Sequence, residues 1–194
     1  MTTKIAVFAS GSGSNFQAIQ EAIVSGKLDA QIEIVVTDKP DAFVVKRAEN
    51  LGIPVFSFIA KHYESKDDYE QEIIGVLKEH EVEWVILAGY MRLIGNTLLS
   101  AFANRIVNIH PSLLPSFPGK DAIGQALEHG VKVTGVTVHF VDEGMDTGPI
   151  LSQAAVEVVD GNREATEARI HAIEHALYTS TLQKLFKNEI KLVH

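Results

Sequence analysis

The sequence predicts an α/β fold: a mostly parallel twisted sheet with helices on both faces, antiparallel strands added in the C-terminal half, and a long C-terminal helix. In the first half, short and almost entirely apolar runs alternate with segments whose apolar residues recur at helical spacing, which is typical of a parallel sheet covered on both faces. In the second half, two long β-branched runs flank an Asp/Gly-rich loop with no room for a helix, and they predict an antiparallel pair. The apolar pattern after them predicts the final helix.

The individual elements follow from apolar spacing and from the glycines that end helices. The apolar run at residues 5–9 predicts the first strand. Phe16, Ile19 and Ile23 recur at helical spacing, and Gly26 ends that helix. The predicted strands lie at residues 5–9, 31–36, 55–58, 84–88, 106–109, 132–141 and 150–159, and the predicted helices at residues 15–25, 42–51, 69–80 and 163–187.

The amino-acid composition excludes several classes of protein. The chain has 194 residues, 46% hydrophobic and 22% charged, which predicts one globular domain at 1–194 rather than a disordered chain. No apolar run reaches about 18 residues, so no membrane span is expected. The absence of cysteine excludes disulfides, a CxxC zinc site and a cysteine nucleophile. The net charge of −8 argues against a broad nucleic-acid face, and with no targeting segment we expect a cytoplasmic location.

A glycine-rich loop, Ser10-Gly-Ser-Gly-Ser-Asn15, joins the first predicted strand to the first predicted helix. A helix N-terminus in this place carries unpaired N–H groups and the positive end of the helix dipole, which together bind anions. Phe16 replaces the third glycine of a dinucleotide fingerprint, and the Gly-Lys of a Walker A loop is missing. We therefore expect a phosphate monoester site at Gly13, Ser14 and Asn15. The alternative is a plain turn capped by Ser14 or Asn15.

The strand at residues 106–109 ends at the most informative segment, Asn108-Ile-His110-Pro111. Residues two apart in a strand share a face, so Asn108 and His110 project together at the carboxyl end of a parallel strand, where open α/β sheets bind ligands. An amide beside an imidazole can stabilise an oxyanion and transfer a proton. The alternative is a strand-end histidine bonded to backbone. The irregular loop at residues 111–120, with three prolines, favours the functional interpretation.

The loop between the two long C-terminal strands carries three acids, Asp142, Glu143 and Asp146. We expect Asp142 and Glu143 to face water, whereas Asp146 is placed to turn inward. A carboxylate beside an imidazole favours its charged form and fixes its tautomer. His139, one strand over, is interpreted either as a supporting partner or as a packed residue. The eight histidines contain no H-E-x-x-H motif, so no metal is expected.

Four segments, in order at predicted strand ends, make the chain resemble the phosphoribosylglycinamide formyltransferases over essentially its whole length. They are Gly11-Ser-Gly-Ser-Asn15, Ala88-Gly-Tyr-Met-Arg92, Asn108-Ile-His-Pro-Ser-Leu-Leu-Pro115 and Asp146-Thr-Gly-Pro149. The resemblance implies a Rossmann-like formyltransferase fold and transfer of the formyl group of 10-formyltetrahydrofolate to the amine of N1-(5-phosphoribosyl)glycinamide. The implied products are formylglycinamide ribonucleotide and tetrahydrofolate, in de novo purine (IMP) biosynthesis.

The resemblance also implies roles for the two halves of the chain and for particular residues. It implies a phosphate-binding half at 1–105 and a catalytic and folate-binding half at 106–194. It also implies that the partners are small-molecule substrates, with no nucleic acid, membrane or metal, and that the protein is a monomer or weak homodimer. Lys66 stands where the family often has arginine near the folate tail, and His171 where other members carry different polar residues near the phosphate. The implied residues are Asn108, His110 and Asp146 for catalysis, Gly13, Ser14, Asn15 and Glu174 for the ribonucleotide, and Lys66, Met91, Arg92, Leu93, Ile94 and Asn108 for folate.

The implied mechanism needs no covalent intermediate. The amine attacks the formyl carbon, while Asn108 and protonated His110 donate to the oxygen that becomes negative. Asp146 sustains the charge of His110 and takes up the amine proton through a water. Three alternatives share parts of the pattern: a formyltetrahydrofolate hydrolase, a methionyl-tRNA formyltransferase and a non-catalytic nucleotide-binding module. The acidic composition and the glycine-rich loop favour a ribonucleotide acceptor over tRNA or water.

Overall fold

The computed structural model of the protein describes residues 2–190. Strands and helices alternate through its first half, and an adjacent pair of strands and a long helix follow in the second. The strands are β1 (Thr3–Phe8), β2 (Ala30–Thr37), β3 (Val55–Ser57), β4 (Trp84–Leu87), β5 (Ile106–His110), β6 (Val133–Phe140) and β7 (Ile150–Glu157). The helices are α1 (Ser14–Val24), α2 (Phe43–Asn50), α3 (Lys66–Glu79), α4 (Asn96–Ala101), α5 (Ala122–Glu128) and α6 (Arg163–Phe186), with a 3₁₀ turn at Ala60–His62.

The strands form a seven-stranded sheet in the order β3-β2-β1-β4-β5-β6-β7. β1 pairs in parallel with β2 and with β4, and β2 pairs in parallel with β3, whereas β6 and β7 are antiparallel. Every residue from Ile5 to Phe8 is fully buried, so both faces of β1 are covered. These findings confirm the predicted fold class: a mostly parallel sheet with an antiparallel pair added in the C-terminal half and a long final helix.

The pairing of β6 with β7 is irregular at one position. Val138 lies opposite Ser152, but the next residue, His139, lies opposite Ile150, so β7 contains one extra residue at this point. A bulge of this kind bends its strand and changes the direction of neighbouring side chains. The irregularity therefore falls at His139, which the sequence allowed to be either a supporting partner of the site or a packed residue.

Every predicted strand and helix is present, with ends within three residues of the prediction. The helix α3 begins three residues early because Ser65 and Asp68 form a capping box at its N-terminus. Two helices were not predicted: α4 has six residues and α5 has seven, which is too short to show an amphipathic repeat. The helix α5 begins where the carboxylate of Asp121 accepts a hydrogen bond from the Gly124 N–H.

The chain divides into two compact units between Val107 and Asn108. The first unit holds the glycine-rich loop and most of the residues implied for folate, and the second holds the residues implied for catalysis together with Glu174. No helix within residues 2–190 combines the length and the apolar character that crossing a bilayer requires.

Candidate active site

The glycine-rich loop ends at the start of α1, and Gly13 is its turning point. Gly13 is the N-cap of α1 and has a φ of 74°, a left-handed conformation that favours glycine. A Cβ at this position would lie 2.7 Å from Cγ2 of Val44, whereas a Cβ at Gly11 would meet no atom within 4 Å. No side chain caps α1, so the cap by Ser14 or Asn15 that the alternative assumed is absent. The first N–H groups of the helix are left for another acceptor.

Helix α2 holds the glycine-rich loop in place. The Val44 N–H donates to the carbonyl of Gly11 at 3.1 Å, and Nε of Arg47 donates to the carbonyl of Ser12 at 2.7 Å. Asn15 lies in the first turn of α1, and its buried Oδ1 accepts no hydrogen bond within the described residues. The sequence did not single out Arg47, which brings a positive charge to the loop that was predicted to bind phosphate.

The folate segment, residues 88–94, presents two apolar side chains to solvent on a fixed backbone. Met91 is 68% exposed and Leu93 is 52% exposed, whereas Ile94 is buried. The N–H of Met91 donates to Oγ of Ser10 at 2.9 Å, and Nε of Arg92 donates to Oδ2 of the Asp38 carboxylate at 3.1 Å. Predicted folate residues are therefore held by Ser10 and Asp38, neither of which was predicted.

Helix α3 holds the far end of the folate segment. Nζ of Lys66 donates to the carbonyl of Leu93 at 3.1 Å. The carboxylate of Glu70, which is buried, accepts hydrogen bonds from the N–H of Gly95 at 2.6 Å and from the N–H of Leu98 at 3.1 Å. The structure thus places Lys66 on the backbone of the predicted folate segment, and it adds Glu70, a buried acid on an amphipathic helix that no motif indicated.

In the second unit, the residues predicted for catalysis lie together at the end of β5. Nδ1 of His110 lies 3.5 Å from Oδ2 of Asp146, and Nε2 of His110 donates to the carbonyl of Phe117 at 2.8 Å. Nδ2 of Asn108 lies 3.3 Å from Nε2 of His139, and that nitrogen is 3.8 Å from Oδ1 of Asp146. Asn108, His110, His139 and Asp146 form one group, which we call the catalytic cluster.

His139 is neutral in this cluster, for an electrostatic reason. Burial lowers the pKa of His139 from its ordinary 6.5 and outweighs the carbonyl of Phe140 and the charge of Asp146, both of which raise it. Nδ1 of His139 donates to the Phe140 carbonyl at 2.7 Å, so Nε2 is the acceptor for the amide of Asn108. His139 therefore holds the Asn108 amide through a neutral acceptor nitrogen.

The loops around the cluster hold unusual backbone conformations. Phe117 and Asp146 have φ angles of 52° and 57°, in the left-handed region that non-glycine residues seldom adopt. Oδ2 of Asp146 accepts a hydrogen bond from the Gly119 N–H at 2.8 Å. Glu143 is exposed, as expected, but Asp142 is half-buried: it accepts from the Thr147 hydroxyl at 2.6 Å and shapes the turn that carries Asp146.

Glu174 lies on α6, also in the second unit. Its side chain is almost fully buried, and Oε2 accepts a hydrogen bond from Nδ1 of His171 at 2.8 Å. This hydrogen bond raises the pKa of His171, whose side chain is half exposed. The two residues implied for the ribonucleotide and its phosphate are thus a pair on one helix face, three residues apart.

No three or more His, Asp or Glu side chains between residues 2 and 190 are arranged to hold a metal ion. The chemistry available to the catalytic cluster is that of an amide, two imidazoles and a carboxylate. Such groups donate hydrogen bonds to a developing oxyanion and move protons. The cluster therefore suits addition to a carbonyl carbon.

Comparisons with known proteins agree with this chemistry. Residues 3–182 match the formyl transferase family. The phosphoribosylglycinamide formyltransferase of Bacillus subtilis (strain 168) is 56% identical over 183 residues, which are 94% of this chain and 94% of that protein. The crystal structure of glycinamide ribonucleotide transformylase 1 from Geobacillus kaustophilus is 56% identical with a TM-score of 0.93, over 95% of this chain and 99% of that one.

The crystal structure of phosphoribosylglycinamide formyltransferase from Bacillus halodurans is 51% identical with a TM-score of 0.93, over 96% of this chain and 97% of that one. The matches extend over nearly the full length on both sides, so they cover the glycine-rich loop, the folate segment and the catalytic cluster alike. The chain belongs to the formyl transferase family and, within it, to the phosphoribosylglycinamide formyltransferases.

Proposed function

We propose that Asn108, His110 and Asp146 carry out the formyl transfer of this chain, from 10-formyltetrahydrofolate to the amine of N1-(5-phosphoribosyl)glycinamide. The single observation that carries the assignment is the contact of Nδ1 of His110 with Oδ2 of Asp146, 3.5 Å apart, beside the Asn108 amide. The reaction gives formylglycinamide ribonucleotide and tetrahydrofolate, a step of de novo purine biosynthesis. Folate is a co-substrate, and no metal takes part.

The first step is addition of the amine lone pair to the formyl carbon, which places negative charge on the formyl oxygen. One N–H of the Asn108 amide is held by Nε2 of His139, and the other is directed to the oxyanion. The Nε2–H of His110 is the second donor. Because it donates to the Phe117 carbonyl, that carbonyl and the oxyanion compete for it.

The second step is loss of the proton from the attacking nitrogen and collapse of the intermediate. Asp146 takes up that proton through a water, and the carbonyl re-forms as the C–N bond to tetrahydrofolate breaks. The same water passes that proton from Asp146 to the folate nitrogen as the bond breaks, so charge and atoms balance. Asp146 also faces Nδ1 of His110 at 3.5 Å and holds the orientation of the imidazole.

The substrate-binding residues are assigned group by group. We assign the ribonucleotide phosphate to the N–H groups and side chains at Gly13, Ser14 and Asn15, because the start of α1 is uncapped. We assign the ribose hydroxyls to Glu174, and the folate to Met91, Arg92, Leu93, Ile94 and Asn108, with Lys66 near its tail. We further propose a cytoplasmic location. We also propose that the protein is a monomer or weak homodimer, and sedimentation velocity at several concentrations will test this oligomeric state.

The activity assay separates this function from the two main alternatives. We expect tetrahydrofolate to form from 10-formyltetrahydrofolate only when N1-(5-phosphoribosyl)glycinamide is present. A hydrolase forms tetrahydrofolate without the acceptor, and a nucleotide-binding module forms none in either case. The acceptor nucleoside, which lacks the phosphate, serves as the matched control for the glycine-rich loop and should bind at least about tenfold more weakly in calorimetry.

A further inference from the structure

A chain of hydrogen bonds joins the folate segment to one buried carboxylate. The N–H of Met91 donates to Oγ of Ser10 at 2.9 Å, and the same hydroxyl donates to Oδ1 of Asp38 at 2.6 Å. The other oxygen of Asp38, Oδ2, accepts from Nε of Arg92 at 3.1 Å. Two consecutive residues of the segment are therefore linked to the Asp38 carboxylate: the backbone of Met91 through the Ser10 hydroxyl, and the side chain of Arg92 directly.

The carboxylate is well shielded from water, so these contacts are strong. The side chain of Asp38 is only 7% exposed, and Ser10 is buried. Hydrogen bonds between charged groups are about twice as strong as those between neutral ones, and screening by solvent is weak at a buried site. The guanidinium of Arg92 also lies over the ring of Tyr69, 5.7 Å from its centre. Arg92 is thus held on two sides while Met91 projects away.

The result is a rigid backbone that carries exposed apolar side chains. Met91 and Leu93 remain in solvent, although the segment is fixed near its start by Asp38 and near its end by Lys66 and Glu70. A surface that is already ordered loses little conformational entropy when an apolar ring system binds to it. The contacts of Asp38 would raise the affinity for such a ligand without touching it.

We propose that Asp38 is the positioning residue of the folate segment: its carboxylate, through Ser10 and Arg92, holds Met91 and Leu93 in the geometry that binds the folate. This inference rests on the proposed function, because it takes 10-formyltetrahydrofolate as the ligand of the segment. It assigns Asp38 no contact with either substrate. Its effect therefore falls on folate binding rather than on the bond-making step.

The test uses variants of the full chain that separate charge from shape. Asp38→Asn keeps the shape and an acceptor for the Ser10 hydroxyl but removes the charge that Arg92 meets. Ser10→Ala removes the link to the Met91 N–H. Asp41→Asn is the matched control, since Asp41 is an exposed acid in the same loop. For each variant, steady-state kinetics give kcat and the KM for both substrates, calorimetry gives tetrahydrofolate binding, and thermal denaturation reports the fold.

We expect Asp38→Asn to raise the KM for the folate co-substrate, and to weaken tetrahydrofolate binding, by about tenfold, the scale of one charge-assisted hydrogen bond. The kcat and the KM for the acceptor should stay within about threefold of wild type, because the catalytic groups are untouched. The double variant with Ser10→Ala should be less damaging than the product of the single effects, since both act through one network.

Two results would overturn the assignment of Asp38, and a third would overturn the proposed function on which it rests. If Asp38→Asn matches Asp41→Asn in the KM for folate and in tetrahydrofolate binding, Asp38 has no positioning role, whatever happens to the melting temperature. The same holds if both KM values and kcat change together. If the wild-type chain itself shows no acceptor-dependent transfer, the proposed function has failed, and the Asp38 variants are not needed to show it.

Discussion

Asp146 has three contacts within its unit, and they explain why one acid of a three-acid loop differs from its neighbours. Its Oδ2 accepts from the Gly119 N–H and faces Nδ1 of His110, and its Oδ1 faces His139. Glu143, in the same loop, is exposed. The sequence singled out Asp146 only by its place beside Thr147-Gly148 and by the family resemblance, because the positive φ that turns it inward is not visible in a pattern of residues.

Asp146→Asn removes the charge of this side chain at nearly constant shape. His110 loses the carboxylate that it faces and the amine proton loses its acceptor, so we expect kcat/KM to fall by at least about 10²-fold. His110→Ala should cost as much or more, and the double variant should lose little beyond the worse single variant, because the two residues act as one unit. Steady-state kinetics of the three variants, with Glu143→Gln as control, decide this; independent, multiplicative losses would contradict it.

Two glycines of one loop should respond differently to replacement by alanine. Gly13→Ala places a Cβ 2.7 Å from Cγ2 of Val44 at a φ of 74°, so we expect it to destabilise the fold by about 1–3 kcal/mol and to weaken acceptor binding. Gly11→Ala meets open space, and its free energy of unfolding should stay within about 0.5 kcal/mol of wild type. Chemical denaturation measures both; equal losses for the two variants would show that the Val44 contact does not matter.

Among the elements, α4 shows how a short helix can depend on a remote side chain. Its six residues are too few to form a stable helix alone, and no residue of its own caps its N-terminus. Glu70, from α3, accepts from the Gly95 and Leu98 N–H groups instead. A cap supplied from 25 residues away leaves no local signal, which is why the sequence predicted α3 but not α4.

Glu70→Gln tests this dependence. A glutamine can accept from one of the two N–H groups but turns an N–H toward the other, so we expect a loss of about 1–3 kcal/mol in the free energy of unfolding. Hydrogen exchange of the amides in residues 95–101 should quicken more than that of the core strands. Glu79→Gln, an exposed acid at the end of α3, is the control. Unchanged exchange in α4 would mean that Glu70 does not hold it.

The long apolar elements were predictable and the short polar contacts were not. Strands such as β1 can be predicted because both faces are buried, so that their residues form an almost entirely apolar run. Helix α6 can be predicted because its apolar residues recur over many turns. In the site, Asn108 and His110 followed from the two-residue period of a strand. The contacts of Ser10 with Asp38, 28 residues apart, arise only when the sheet is assembled, so no spacing rule could indicate them.

For the whole molecule, two histidines give the free energy of unfolding opposite dependences on pH. The pKa of His139 is lowered on folding, so its contribution is present above the ordinary value of 6.5 and is lost as the pH falls below it. The pKa of His171 is raised by Glu174, so its contribution is complete below 6.5 and is lost as the pH rises through the folded value. The two effects act on opposite sides of pH 6.5, so together they favour maximal stability near that pH.

Single variants should uncover each dependence. Relative to wild type, His139→Gln should lose less stability as the pH falls below 6.5, and His171→Gln should lose less as the pH rises above it. Chemical denaturation between about pH 5 and pH 8 gives both slopes. The effect of His171 should be the smaller, because its half-exposed side chain is screened by solvent. If the free energy of unfolding of both variants changes with pH in parallel with that of wild type, neither histidine contributes to the pH dependence.

The left-handed conformations of Phe117 and Asp146 should respond differently when laboratory evolution selects for thermal stability. The conformation of Phe117 costs of the order of 1 kcal/mol that a glycine would not incur, so selection for heat resistance alone favours glycine there. At Phe117 such a change keeps the carbonyl that His110 contacts. At Asp146 a glycine deletes the carboxylate that accepts from the Gly119 N–H, so it loses that hydrogen bond together with the activity and a thermostability screen will not select it.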